Sequence, residues 1–206
     1  MSKQQPTVEH HFDFGSPNCY FAHRVIGAIE QRTGATFTYV PILLGGVFKA
    51  TNNQAPLIAF KDIANKLAYD RLEIRRFIAR HRLDRFRMNP HFPVNTLQIM
   101  RGVTALQDDP SFMATVEALF CLMWEDGKKM DDAEIIVQSL NERGLDGKAF
   151  LARASEPDVK AKLMANTERS VARGAFGAPT FFVGDEIYFG KDRLRDVEEA
   201  IVAATG

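Results

Sequence analysis

Phe12-Asp13-Phe14-Gly15-Ser16-Pro17-Asn18-Cys19-Tyr20 joins two different hydrophobic periodicities. Before it, Val8 to Phe14 is an apolar-rich run of strand character. After it, Phe21, Val25, Ile26 and Ile29 recur on one helical face until Gly34 closes the element. Ser16 suits a helix N-cap, and Pro17 suits the first helical position, where a missing N–H is harmless. A strand running into a helix presents free backbone N–H groups and the positive end of the helix dipole, a setting that stabilises a thiolate. The spacing Ser16-x-x-Cys19 puts serine where a Cys-x-x-Cys motif has its first cysteine. Serine forms no disulfide, so the site reads as built to hold a thiol belonging to another molecule.

Working outward, Thr36-Phe37-Thr38-Tyr39-Val40 is β-branched and aromatic, and Pro41 interrupts it. Strand, helix and strand within 41 residues imply a parallel pair with a right-handed crossover. From about Leu57 to Arg173 the punctuation is helical. Ile63, Leu67, Ile74 and Ile78 form a stripe on a basic helix, and Asn95-x-x-Gln98 resembles a capping box. Asp109-Pro110 opens a helix stopping near Gly127, Asp131-x-x-Glu134 opens one ending at Gly144, and a last runs from Pro157 to Gly174. Strand character returns in Thr180-Phe181-Phe182-Val183, turns at Gly184-Asp185, and continues in Glu186-Ile187-Tyr188-Phe189. Leu194, Val197 and Ile201 mark one face of a final helix. The order βαβ, helical block, ββα predicts a four-stranded mixed sheet, an α/β fold carrying a large all-helical insertion.

Composition narrows the function classes. The 206 residues include 26 basic and 26 acidic side chains, so net charge favours neither nucleic acid nor membrane as a partner. Residues 1–7 are polar, without the apolar core of a secretory signal, and no run has the length of a membrane span. A cytoplasmic location is the expectation. Two cysteines, Cys19 and Cys121, make no disulfide framework, and no Cys/His spacing resembles a metal site. The five histidines show no pairing like a Ser-His-acid triad.

Four motifs in order carry a resemblance: Phe12 to Tyr20; Leu44-Gly45-Gly46-Val47-Phe48-Lys49; Gly177-Ala178-Pro179-Thr180; and Phe189-Gly190-Lys191-Asp192-Arg193-Leu194. Together they resemble the 2-hydroxychromene-2-carboxylate isomerases and the related kappa-class glutathione transferases, within the DsbA-like thioredoxin superfamily. The resemblance implies a thioredoxin fold in two parts, residues 1–48 and 175–206, around a helical insertion at 49–174. It implies glutathione as cosubstrate, with Ser16 binding the sulfur and helping to keep it as thiolate. Pro179 would be cis, with Ala178 offering its N–H and C=O to the cysteinyl backbone in the manner of an added strand. Asp192 and Arg193 would hold the γ-glutamyl end, and Lys49 with Asn52 or Asn53 would lie near the substrate. Whether Lys61 or Lys66 takes the role of a further downstream lysine stays open, and a homodimer is the family expectation.

Each of these residues also has a plainer role. Ser16 and Asp192 are good N-caps, and Lys49, Asn52 and Asn53 suit a solvent-facing segment. Cys19 and Cys121 read as small buried apolar side chains. Arg71, Arg75, Arg76, Arg80, Arg82, Arg85 and Arg87 read as a solvated face. The activity implied is isomerisation of an aromatic, unsaturated 2-oxo acid by reversible addition of glutathione. A kappa-class-like transferase or peroxidase and a non-catalytic thiol binder are the alternatives.

Overall fold

A computed structural model describes residues 6–205, so the polar stretch at residues 1–5 lies outside it. Strand β1 (Val8–Phe12) leads through the Ser16 turn into helix α1 (Pro17–Thr33) and strand β2 (Phe37–Pro41). Strands β3 (Thr180–Val183) and β4 (Glu186–Phe189) and helix α10 (Leu194–Thr205) return at the other end. The sheet order is β2-β1-β3-β4, with β1 parallel to β2 and antiparallel to β3, and β4 antiparallel to β3. This is the mixed sheet the sequence predicts. Pro41 closes β2 from inside, paired with Phe12, because β2 is an edge strand and lacks a neighbour to demand its N–H.

Alternation divides the sheet residues between two faces. Val8, His10, Phe12 and Phe181 face the layer built by α1 and α10, whose Ile26, Ile29, Leu194, Val197 and Ile201 are buried with them. Gly34 ends α1 in the left-handed conformation at φ 72°, donating to the Glu30 carbonyl. On the other face His11 meets helix α9 (Pro157–Ala172) through Ser170.

The helices between β2 and β3 are α2 (Leu44–Thr51), α3 (Pro56–Ala59), α4 (Ala64–His81), α5 (Leu97–Ala105), α6 (Phe112–Trp124), α7 (Ala133–Asn141), α8 (Gly147–Ala154) and α9. Helix α5 packs on α8 so closely that a Cβ on Gly102 would fall 2.2 Å from the Phe150 ring. No helix among the described residues is long and apolar enough to cross a membrane.

Several boundaries differ from the sequence reading. Helix α2, opened by Leu44-Gly45-Gly46, precedes the helical block read as starting near Leu57. Helix α8 has no counterpart in that reading, although Asp146 caps it by accepting from Ala149 N. Asp132, not Asp131, caps α7. Asn95 accepts from Leu97 N without a capping box, since Thr96 at the N-cap turns its hydroxyl elsewhere. Ser111 is the N-cap residue of α6, and Asp109 instead binds the Ser111 N–H and hydroxyl. Of the stripe on α4, Ile74 and Ile78 pack partly buried against the core, Ile63 is exposed, and the buried residue of the helix is Phe77.

The histidines bring a further correction. His11 Nδ1 lies 2.9 Å from Ser170 Oγ and its Nε2 2.7 Å from Glu9, whose other oxygen pairs with Arg173. A Ser-His-acid chain therefore exists, but Ser170 and His11 are fully buried, and the chain ties α9 to β1. His10 is also fully buried, packed among Phe12, Tyr39 and Phe181, with neither ring nitrogen hydrogen-bonded among the described residues.

Burial, then the nearby His23 and His11, pushes the His10 pKa well down. The unfolded chain then binds a proton below about pH 6.5 that the folded chain refuses, so stability falls as pH falls. Between pH 7.5 and 5.5 the wild type is expected to lose more stability than His10→Leu, by about 1 kcal/mol. Denaturant unfolding at the two pH values measures it, and equal losses would refute it.

Candidate active site at the N-terminus of helix α1

Ser16 occupies the N-cap position of α1 in an extended conformation, yet its hydroxyl caps no helix N–H. It donates instead to the Ala178 carbonyl, 3.0 Å away, and the residue is 6% exposed. The capping role read from sequence is thus one of backbone position only. Pro17 has no N–H, and the N–H groups of Cys19 and Tyr20 both turn to the Ser16 carbonyl, at 3.0 and 3.4 Å. Asn18 N–H, alone in this first turn, meets no acceptor among the described residues.

The turn is held from beneath by Asp13. One of its oxygens accepts from Gly15 N at 2.8 Å and Thr96 Oγ1 at 2.7 Å, and the other from Leu44 N at 2.8 Å. One carboxylate therefore joins the nucleophile-type turn to the first turns of α2 and α5, and Leu44 brings it the positive end of the α2 dipole. Burial raises the Asp13 pKa, against the opposing pull of those three hydrogen bonds. Trp124, fully buried, fixes the neighbouring backbone by donating its indole N–H to the Phe14 carbonyl at 2.8 Å.

The facing loop is equally constrained. The Ala178–Pro179 bond is cis, as the resemblance implies, and so is Phe92–Pro93, which the sequence reading did not single out. Asn53 Nδ2 donates to the Phe176 carbonyl at 2.8 Å, Thr180 Oγ1 to Gly177 O at 2.8 Å, and Gly190 N to Pro179 O at 2.9 Å. A Cβ on Gly177 would lie 2.7 Å from the Phe189 ring, which packs at a tilt against Phe176 with centroids 4.4 Å apart. Glycine at 177 lets that aromatic pair lie against the loop.

These contacts sort the predicted site residues. Ser16, Ala178 and Pro179 come together in one constellation, and Asn53 joins through Phe176. Asn52 is distinguished from Asn53 by its work: it takes the left-handed C-cap of α2 at φ 51°. Lys49 is exposed in the last turn of α2. Lys66 pairs with Asp70 and lies 5.2 Å from the Phe60 ring centroid, while Lys61 is exposed. Asp192 and Arg193 sit in a 3-10 turn, Lys191–Arg193, ahead of α10, so Asp192 is no helix cap. Its carboxylate accepts from Lys191 Nζ, and Arg193 reaches Asp196 at 3.3 Å. Lys191, buried beside Phe77, is the residue that the sequence reading did not weigh.

Neither cysteine is set up as a nucleophile. Cys19 is fully buried, and burial pushes its thiol up to about 12 against the opposing pull of the neighbouring Asp13 backbone and Ser16. Cys121 lies 3.0 Å from Arg24 and 3.3 Å from Glu117, and burial pushes it up to about 11. The plain reading of both as buried side chains holds. The chemistry at the α1 N-terminus must come from Ser16, a free backbone N–H, and whatever binds there. The Ala178 N–H has no acceptor among the described residues, while its carbonyl is already engaged by Ser16. The donor set thus fits a thiol on a peptide backbone: a hydroxyl beside a helix entrance and a free N–H before a cis-proline.

The chain is 28% identical over 200 residues to a 2-hydroxychromene-2-carboxylate isomerase of Pseudomonas sp. (strain C18), covering 96% of this chain and 91% of that one. It is 23% identical to glutathione S-transferase kappa 1 of Caenorhabditis elegans, covering 95% and 91%. A solved 2-hydroxychromene-2-carboxylate isomerase superposes with a TM-score of 0.80 at 27% identity, covering 95% and 94%. The resemblance read from the four motifs is borne out. Residues 7–202 match the DSBA-like thioredoxin domain model, and the chain belongs to that family.

Proposed function

We propose that this protein is a glutathione-dependent isomerase of an aromatic, unsaturated 2-oxo acid, of the kind that interconverts 2-hydroxychromene-2-carboxylate and trans-o-hydroxybenzylidenepyruvate. The observation that carries the reading is the Ser16 hydroxyl, set at the α1 N-terminus against the carbonyl that precedes cis-Pro179. When bound, glutathione supplies a thiolate that adds reversibly to the conjugated double bond, permits rotation, and leaves again.

The protein's part is to bind, orient and hold charge. Ala178 N–H pairs with the ligand backbone. As the Ala178 carbonyl accepts from that backbone, the Ser16 hydroxyl is released to donate to sulfur. One exchange of partners thus couples docking to thiolate stabilisation. The Asn18 N–H and the α1 dipole add to it. Asp13 and Trp124 keep the turn from shifting while that happens. Lys49 meets the substrate carboxylate from α2, with Asn52 and Asn53 beside it. The family resemblance also carries a homodimer.

The test is turnover of 2-hydroxychromene-2-carboxylate with and without glutathione, followed by absorbance and by assay of remaining free thiol. Turnover that requires glutathione and returns it unconsumed is the expected result. Glutathione consumed one-for-one into a stable conjugate would replace this reading with a transferase.

A further inference from the structure

Helix α4 carries one apolar stripe in two different surroundings. Toward its C-terminal end, Ile74, Phe77 and Ile78 pack on the core of their own chain, where Phe77 meets the Phe21 ring at 5.6 Å between centroids. Continued toward the N-terminus at helical spacing, the same stripe runs through Leu67 to Ile63, and helix α3 adds Leu57, Ile58 and Phe60. None of these side chains joins the core formed by the described residues. Leu57, Ile58 and Ile63 are 54%, 58% and 53% exposed. An 18-residue helix that buries one side chain, Phe77, against the described residues lacks the packing that ordinarily holds a helix in water. Apolar side chains left together in the open mark an interaction face.

Charge indicates the occupant. Arg75, Arg76 and Arg80 are exposed on the far side of α4 from the stripe, where two copies of this chain would repel. Along the free half of the stripe the charges are instead Lys61, Asp62, Lys66 and Asp70, of both signs in equal number. A purely acidic or purely basic partner would leave half of them opposed by like charge. A second copy turned end for end matches them. A two-fold axis crossing α4 midway between Lys66 and Asp70 sets Lys66 of each copy opposite Asp70 of the other. These two side chains already pair within the chain, and at 42% and 37% exposed each is open to a further partner.

We propose that the free half of this stripe, from Leu57 to Leu67, is the face on which a second copy of this chain docks, with the two α4 helices antiparallel across a two-fold axis. This rests on the homodimer reading above and gives it a surface. The apolar side chains form the dry centre, and Lys66 and Asp70 form the rim. Asn53, which holds the Phe176 carbonyl beside the site, stands just before α3, so the partner braces a segment that reaches the site.

The test is sedimentation equilibrium of the full chain. Wild type is expected to be a dimer at micromolar concentration, and Ile58→Glu/Ile63→Glu to dimerise at least about 100-fold more weakly. Both positions are exposed in the single chain, and an unchanged far-UV circular dichroism spectrum verifies the fold. Lys66→Glu and Asp70→Lys are each expected to weaken the dimer about 10-fold. An equimolar mixture of those two variants is expected to recover it as a heterodimer, because each chain then offers the charges that the other lacks. A wild-type dimer that Ile58→Glu/Ile63→Glu leaves intact, or a mixture as weak as either charge variant alone, overturns the proposal and leaves the homodimer reading standing. A wild type that is monomeric at micromolar concentration overturns both, and its flotation with phosphatidylglycerol vesicles would assign the face to a membrane surface instead.

Discussion

Ser16→Ala is expected to lower glutathione-dependent kcat/KM by about 100- to 1000-fold, the range seen when one preorganised donor to a developing charge is removed. The change deletes a single hydroxyl. Its bond to the Ala178 carbonyl is worth roughly 1 kcal/mol of stability. The usual additional loss for removing a serine cap does not apply, because this hydroxyl contacts no helix N–H. The variant should therefore fold, with Tm within a few degrees of wild type, and fail in chemistry. Stopped kinetics with a lost fold would not bear on the role; stopped kinetics with a retained fold would establish it. A variant that keeps activity within a few-fold would remove Ser16 from the mechanism.

Asp13→Ala is expected to destabilise the protein by roughly 3–5 kcal/mol, since it strands three donors at a buried position. Gly15 N, Leu44 N and Thr96 Oγ1 lose their common acceptor together. Asp13→Asn should be milder but still costly, because one of its two polar atoms becomes a donor facing donors. Denaturant unfolding gives both values. A loss below about 1 kcal/mol for alanine would mean that the carboxylate is not what joins the turn to the insertion.

What was legible in the sequence follows from how local its causes are. Helix α1 was readable because Ser16-Pro17 and Gly34 are start and stop signals within the element itself. The β3–β4 hairpin was readable from Gly184-Asp185 between two β-prone runs. Helix α2 was not, because Gly45 and Gly46 look like a turn. What starts it there is partly a carboxylate 31 residues earlier, at Asp13. Helix α8 is only eight residues long, and the Asp146 cap is its one clear local sign.

The site divides in the same way. The Ser16 position was visible from its turn, but the acceptor of its hydroxyl lies 162 residues away. Asn52 and Asn53 could not be separated by type. The backbone separates them, sending one to a left-handed cap and the other to the Phe176 carbonyl. Lys191 beside Asp192 looks like any solvated pair, and only the arrival of Phe77 from α4 buries it. Asp192 in turn looked like a cap because an aspartate before a helix commonly is one. Here a 3-10 turn intervenes.

The most direct test of the central claim is the titration of the glutathione thiol while it is bound, read from thiolate absorbance near 240 nm. In the wild-type complex the thiolate should appear at least about one pH unit below the free-thiol range near 8.5, and Ser16→Ala should move it most of the way back. A bound thiol that titrates at the free value, or equally in both proteins, would contradict the account.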